Sequence, residues 1–212
     1  MIPAPTALSR RAAAGAIAAC LALAAPMGAQ AQAPAPAAEA APRVKLATSL
    51  GDIVVEVYPD KAPKTAENFL QYVRDKHYDG TIFHRVIDGF MVQGGGYDAR
   101  YAQKPTRAPI PHEGASALAK GGPRNTVGTI AMARTMDPNS ASAQFFINVK
   151  DNAFLDHTAP TMQGYGYVAF GKVVAGMDVV NRIKSVPTGA SGPFPSDVPK
   201  TPVVITSATI VK

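Results

Sequence analysis

The feature that most constrains the fold of this 212-residue chain is a series of short segments in which apolar and polar residues alternate. Alternation with a period of two is typical of strands buried on one face, and turn residues separate the segments. The predicted strand regions are 44–48, 53–57, 81–93, 129–133, 144–148, 167–173 and 203–211. Because closure removes exposed sheet edges, many short strands with few helices favour a closed β-barrel.

Two segments have a helical period instead. Ala66, Phe69 and Val73 recur at intervals of three and four residues, and Thr65 is placed to cap the start of that helix. A second helical pattern covers residues 177–183. We expect both helices to cover the ends of the barrel. Gly94-Gly95-Gly96 is expected to end a strand, and a long loop rich in Pro and Gly follows at 97–125.

The N-terminal segment has the pattern of a secretory signal peptide. Arg10 and Arg11 precede an apolar stretch from Ala12 to Ala25, and A-x-A sites end at Ala31 and at Ala33. The apolar stretch is shorter than the roughly 20 residues that a spanning helix needs, so we expect no stable membrane span. We predict an exported protein, and the paired arginines leave a twin-arginine route open beside the general one.

We therefore divide the chain into a signal peptide (1–31, cleaved after Ala31 or Ala33), an Ala/Pro-rich flexible tether (32–42) and one folded domain (43–212). Cys20 is the sole cysteine, so an intramolecular disulfide is excluded. The residues before it resemble a lipoprotein cleavage box, which makes a lipid anchor at Cys20 an alternative. The apolar residues that follow Cys20 argue against the anchor.

Composition disfavours several functional classes. The formal charge of +6 falls to +4 when Arg10 and Arg11 leave with the signal peptide, and the remaining cations are scattered, so we expect no nucleic-acid partner. The four histidines lack the spacing of a zinc motif, and the chain has neither a G-x-S-x-G elbow nor a phosphate-binding loop. We expect no metal and no cofactor.

The segments with chemical potential lie at 83–95, 128–134, 142–148, 152–156 and 167–173. Because alternate residues of a strand share a face, Arg85 and, after the Asp88-Gly89 turn, Met91 and Gln93 can project to one side. This would place a cation beside apolar groups.

Together these segments resemble the cyclophilin family, and closely the short periplasmic cyclophilins of bacteria, from about Lys45 to the C-terminus. The resemblance implies a closed eight-stranded antiparallel barrel capped by two α-helices. It also implies a monomeric peptidyl-prolyl cis-trans isomerase that acts on proline-containing, unfolded or partly folded polypeptides and assists their folding in the periplasm.

By motif position, the resemblance implies that Arg85 is the catalytic arginine, with Gln93 orienting it and Phe90 beside it. Phe90 is also part of the implied proline pocket. The residues that it assigns to substrate binding are His84, Met91, Ala133, Arg134, Gln144, Phe146, Phe154, Leu155 and Tyr167. Of these, Met91, Phe146 and Leu155 complete the pocket, Ala133 and Arg134 supply backbone contacts, and His84, Phe154 and Tyr167 are expected on the rim.

Three positions depart from the family pattern of animal cyclophilins that bind cyclosporin tightly. Phe154 stands where those proteins have tryptophan, Tyr167 where they have histidine, and Arg134 where they have asparagine. Phenylalanine keeps the apolar wall but lacks the indole N–H donor, so we expect weak cyclosporin binding with retained catalysis.

Two other functions stay open. A proline-peptide binding module or holdase chaperone could use the same pocket without turnover. A metal- or nucleic-acid-binding barrel is a third class, which the scattered histidines and modest charge disfavour.

Overall fold

Eight strands close into an antiparallel barrel in this computed structural model, which describes residues 41–211. The ten strands of the domain, in chain order, are β1 (Arg43–Thr48), β2 (Gly51–Val57), β3 (Thr81–Ile87), β4 (Met91–Asp98), β5 (Thr129–Met132), β6 (Phe145–Asn148), β7 (Ala169–Ala175), β8 (Thr188–Ser191), β9 (Phe194–Pro199) and β10 (Val204–Val211). The barrel order is β1-β10-β3-β4-β6-β5-β7-β2, and β8 and β9 form a separate ribbon. The predicted eight-stranded barrel is confirmed. The predicted signal peptide with its two candidate cleavage sites and Cys20, and residues 32–40 of the predicted tether, lie outside the described residues.

Three α-helices accompany the barrel: α1 (Pro63–Arg74), α2 (Gly114–Ala119) and α3 (Met177–Lys184). The helical patterns predicted α1 and α3, whereas α2 falls in the predicted loop 97–125 and the β8–β9 ribbon in a region for which we predicted no element. Both are short elements without a long apolar period, so the sequence pattern does not reveal them. Within residues 41–211, no helix is long and apolar enough to cross a membrane.

Aromatic residues fill the barrel beneath α1. The ring centroid of Phe69 on α1 lies 5.1 Å from that of Phe170 and 5.7 Å from that of Phe145. Tyr78 joins the same group, with its ring centroid 5.3 Å from Phe145. These separations are those of favourable tilted and edge-to-face aromatic pairs. The buried side of α1 therefore closes one part of the core, as its apolar period predicted.

The three consecutive glycines do not end β4, which continues to Asp98. Gly95 has a φ of +85°, and a Cβ built there would lie 2.8 Å from Cε1 of Tyr78 and 3.0 Å from the Phe145 ring. Only glycine fits so close to these rings without strain. The glycines therefore allow the aromatic core to pack against the strand, and the expectation that they stop it was wrong.

The start of α1 is stabilised from a distant loop. Its N-cap residue, Ala62, makes no side-chain capping bond. Instead, the Glu113 carboxylate accepts hydrogen bonds from the backbone N–H groups of Lys64 (3.2 Å) and Thr65 (2.7 Å) and from the Thr65 hydroxyl (2.7 Å). Thr65 donates to this carboxylate and does not cap the helix, so the prediction that Thr65 is the cap was wrong. A buried carboxylate at a helix N-terminus accepts from N–H groups that have no partner within the helix. Its negative charge also interacts favourably with the positive end of the helix dipole.

We predict that Glu113→Ala lowers the free energy of unfolding by about 1 to 3 kcal/mol, because it leaves buried donors without an acceptor. Glu113→Gln keeps one acceptor oxygen and should lose less. The matched control is Glu67→Ala, which removes an exposed carboxylate of α1 and should change stability by about 0.5 kcal/mol or less. Urea unfolding measures all three, and equal losses for the two alanine variants would contradict the capping role.

Candidate functional site

One row of residues crosses the outer face of five neighbouring strands. Register pairs Arg85 on β3 with Gln93 on β4, Gln93 with Phe146 on β6, Phe146 with Ala131 on β5, and Ala131 with Ala169 on β7. Directly opposed residues on adjacent strands have side chains in contact range. The row therefore joins a cation, an amide, an aromatic ring and two small residues.

A β-bulge in β3 turns Arg85 to this outer face. Phe83 pairs with Gly94 and Arg85 pairs with Gln93, so two steps on β3 match one step on β4. His84 is the extra residue, and a bulge of this kind re-aims the side chain that follows it. Phe83 lies in the barrel core and Arg85 is exposed outside it. Simple alternation from Phe83 would have pointed Arg85 inward.

The row borders a cavity of about 160 Å³. Nine predicted site residues line it: Arg85, Phe90, Met91, Gln93, Ala133, Arg134, Phe146, Leu155 and Tyr167. Most pockets for small molecules measure roughly 300 to 1,000 Å³, so this one suits a single side chain rather than a drug-sized ligand. The structure thus brings together nine of the twelve candidates.

The apolar wall is a cluster separate from the barrel core. Met91, Phe146 and Leu155 are buried together with Ala131 and Ala169. Their strand neighbours, such as Val92 and Phe145, point into the barrel instead. The small side chains at the β5 and β7 positions leave room between the larger ones. Strand alternation thus places a packed core on one face and an apolar depression on the other.

The polar side of the cavity carries Arg85 and a pair of amides. Arg85 lines the cavity, and among residues 41–211 its exposed guanidinium makes no hydrogen bond and no ion pair. Nε2 of Gln93 donates to Oε1 of Gln144 at 3.0 Å, which holds the Gln93 amide at the edge of the cavity. Gln144 lies behind Gln93, outside the cavity lining. The backbone N–H of Ala133 already donates to the Gln144 carbonyl at 2.9 Å.

The opposite end of the cavity carries Arg134 and Tyr167. The Arg134 guanidinium carbon lies 4.7 Å from the centroid of the Tyr167 ring, a cation–π arrangement. Tyr167 in turn meets Phe146 edge to face, with centroids 5.5 Å apart. Phe154 is 71% exposed and stacks on Phe90 at 5.9 Å, so it extends the apolar surface outward as a rim residue would.

His84 does not lie on the rim, contrary to our expectation. Its side chain is 3% exposed and packs against Tyr97 and against Phe194 of β9, and Nδ1 has no partner among residues 41–211. Burial lowers the pKa of His84 from 6.5 to about 4, and the Arg85 charge acts in the same direction. The ring is therefore neutral in the native protein at neutral pH.

A buried polar network behind the cavity was missed in the sequence. Asn152 Nδ2 donates to the Phe90 carbonyl (2.9 Å) and to Oδ1 of Asn148 (2.8 Å), and Asn148 Nδ2 donates to Oδ1 of Asn125 (3.2 Å). Asn125 Nδ2 then donates to the carbonyls of Leu155 (3.2 Å) and Tyr167 (3.1 Å). These amides hold the backbone of three lining residues. Asn148 and Asn152 lie in segments 142–148 and 152–156, which the sequence singled out, whereas Asn125 ends the predicted loop and had no such signal.

Within the described residues, no group of three or more histidine, cysteine, aspartate or glutamate side chains is placed to hold a metal ion.

Comparisons with known proteins agree on one family. The family described as cyclophilin type peptidyl-prolyl cis-trans isomerase/CLD matches residues 43–210. The chain is 59% identical over 168 residues to peptidyl-prolyl cis-trans isomerase cyp18 of Streptomyces antibioticus, covering 79% of this chain and 98% of that protein. It is 53% identical over 167 residues to peptidyl-prolyl cis-trans isomerase B of Escherichia coli, covering 79% and 98%.

Solved structures give the same result. A cyclophilin-type isomerase of Cryptosporidium parvum superposes with a TM-score of 0.63 at 25% identity, covering 81% of this chain and 98% of that one. The cyclophilin AquaCyp293 of Hirschia baltica also has a TM-score of 0.63, at 26% identity, covering 80% of this chain and 73% of that one.

We predict that His84 makes stability fall as the pH is lowered from about 6.5 to about 4. In that window the unfolded chain binds a proton on this ring and the native protein does not, so protonation favours unfolding. The loss from this group should be on the order of 3 kcal/mol. Urea unfolding of wild type and His84→Gln should give curves that converge toward low pH. A constant difference between them from pH 7 to pH 4 would contradict the assignment.

Proposed function

This chain belongs to the cyclophilin-type peptidyl-prolyl cis-trans isomerase family, and from that membership we propose that the cavity lined by Arg85 and Phe146 is its active site. The protein is a peptidyl-prolyl cis-trans isomerase. The observation that carries the assignment of the site is the unpaired Arg85 guanidinium, held by register one strand away from Gln93 and two from the apolar wall.

The reaction needs no bond to be made or broken. Rotation about an X-Pro bond faces a barrier near 20 kcal/mol because the twisted state loses amide conjugation. The apolar wall would hold the proline ring, and polar groups would hold the carbonyl side. Interactions that exist only in the twisted state lower the barrier.

Arg85 is suited to stabilise that twisted state. When conjugation is lost, the prolyl nitrogen regains its lone pair and can accept a hydrogen bond. A guanidinium is permanently charged and offers several donors in a rigid fork, so it can reach that nitrogen or the adjacent carbonyl. Gln93, restrained by Gln144, would keep the fork oriented toward the substrate. Each kcal/mol gained only in the twisted state accelerates rotation about fivefold.

Its natural substrates would be proline-containing segments of unfolded or partly folded exported proteins. A structure of the Cryptosporidium parvum isomerase was determined in the presence of the dipeptide Ala-Pro, with 26% identity and a TM-score of 0.62 to this chain. That ligand matches the chemistry of the cavity: one small ring beside an amide. We expect a monomer, and weak cyclosporin binding because Phe154 lacks an indole donor.

The periplasmic location rests on residues 1–31 and their A-x-A sites. Expression of the full chain in a bacterium, followed by mass measurement of the exported product, tests it. A mature chain that begins at Gln32 or Pro34 is the expected result, and a diacylglycerol-modified Cys20 would establish the lipid anchor instead. Retention of the intact N-terminus in the cytoplasm would overturn export.

We predict that Arg85→Ala reduces kcat/KM for cis-to-trans conversion of a short X-Pro peptide by about a hundredfold or more, while most peptide affinity remains. Removal of a donor that acts mainly on the twisted state should affect rate more than binding. Protease-coupled kinetics measure the rate, and a fluorescence titration with the same peptide measures affinity. The matched control is Arg100→Ala, since Arg100 is an exposed arginine whose one ion pair among residues 41–211 is with Asp98.

The same experiment distinguishes the binding-module alternative. If the folded wild type binds the peptide but gives no acceleration, the cavity serves binding alone. If Arg85→Ala retains the wild-type rate while Phe146→Ala loses both rate and affinity, the pocket is correct and the role assigned to Arg85 is wrong.

A further inference from the structure

Arg134 is the second cation that lines the cavity, and its side chain is held rigidly. Nε donates to the Gly166 carbonyl at 2.9 Å, and Nη1 donates to the carbonyls of Thr135 at 2.9 Å and Met136 at 3.4 Å. The Tyr167 ring lies against the guanidinium face. We propose that Arg134 makes the site select X-Pro segments that carry an aspartate or glutamate next to the proline. This inference rests on the proposed active site.

Two donors of Arg134 remain available for a substrate. A guanidinium has five N–H bonds, and those on Nε and Nη1 are occupied by the three carbonyls. Among residues 41–211, no acceptor engages the two N–H bonds of Nη2. Because the group is already ordered, a ligand that binds Nη2 does not have to immobilise a flexible arginine.

The residues that line the cavity carry positive charge and no negative charge. Its nine lining residues include two arginines and no carboxylate. The nearby acidic side chains have other partners: Asp156 binds Arg124 and Asn125, Asp88 pairs with Lys184, and Oδ1 of Asp137 accepts from the Asn139 N–H. A substrate carboxylate that enters the cavity would therefore meet two cations and no carboxylate among the lining residues.

Arg85 and Arg134 lie on opposite sides of the apolar wall, so each can contact a different part of a bound peptide. Arg85 stands on β3, and Arg134 follows β5, with the Phe146 wall between them. With a proline ring against that wall, Arg85 can address the rotating amide while Arg134 faces a neighbouring residue of the substrate. Arg134 is thus a specificity-determining residue, and a lysine or arginine beside the proline should be disfavoured by like charge.

The test compares peptides that differ only in one residue beside the proline: glutamate, glutamine or lysine, placed before the proline in one set and after it in a second. We expect kcat/KM for the glutamate peptide to exceed that for the glutamine peptide by about two- to fivefold at low salt in one of the two sets, with the lysine peptide lowest. Added salt should reduce the difference, because exposed charges are screened.

Variants of Arg134 test whether this residue causes the preference for glutamate. Arg134→Gln should bring the three peptides to equal kcat/KM, whereas Arg134→Lys, which keeps the charge but loses the stacked fork, should retain a reduced preference. Arg100→Gln removes the same charge from a loop outside the cavity lining and should leave the wild-type preference unchanged. Urea unfolding of each variant verifies that it is folded.

The outcomes separate this inference from the proposed function. If wild type accelerates all the peptides equally, or if the glutamate preference persists in folded Arg134→Gln, the selection by Arg134 is wrong while the active site stands. If wild type accelerates no peptide, the proposed active site fails and the inference fails with it.

Discussion

The geometry of the site depends on one extra residue in one strand. The bulge at His84 resets the alternation of β3, so that Phe83 faces the core while Arg85 faces outward and pairs with Gln93. From there, the antiparallel register carries the row through Phe146 to the small residues of β5 and β7. A strand without the bulge would direct a guanidinium into the barrel, where an unpaired charge is very costly. The barrel thus holds the strands in place, and the bulge determines that the Arg85 side chain points outward.

Hydrogen bonds from asparagine side chains, in addition to apolar packing, hold the loops that complete the cavity. Asn125, Asn148 and Asn152 are almost fully buried. Asn125 and Asn152 donate to the backbone carbonyls of three lining residues, and the Asn148 side chain joins the two amides to each other. An asparagine amide offers both donors and an acceptor, so a short series of them can join segments that share no secondary structure. Such a network is stable only when every member is satisfied, which makes the loop positions specific. A site that works by holding a substrate amide in a twisted state needs that specificity.

Most of the architecture could be predicted because its signals are local. Period-two segments predicted the barrel strands, and apolar residues at helical spacing predicted α1 and α3. The residues of the cavity lining were implied by the resemblance of the motif segments to the cyclophilin family. The failures concern contacts between residues distant in the chain. Glu113 caps α1 from 48 positions away from Thr65, and no local pattern reveals that partner. His84 is buried because Phe194 of the unpredicted ribbon covers it, and Gly95 lies against the rings of Tyr78 and Phe145, which come from other parts of the chain.

The burial of His84 also bears on the electrostatics of its neighbour. A histidine that titrated near neutral pH beside Arg85 would place a second charge next to the guanidinium. Because burial lowers the pKa of His84 to about 4, the ring stays neutral above that range, and Arg85 is the cation that the row carries at this end among residues 41–211. The buried histidine therefore adds no change of charge beside Arg85 near pH 7. That suits a reaction in which no proton is transferred and the protein only has to favour one geometry of an amide over another.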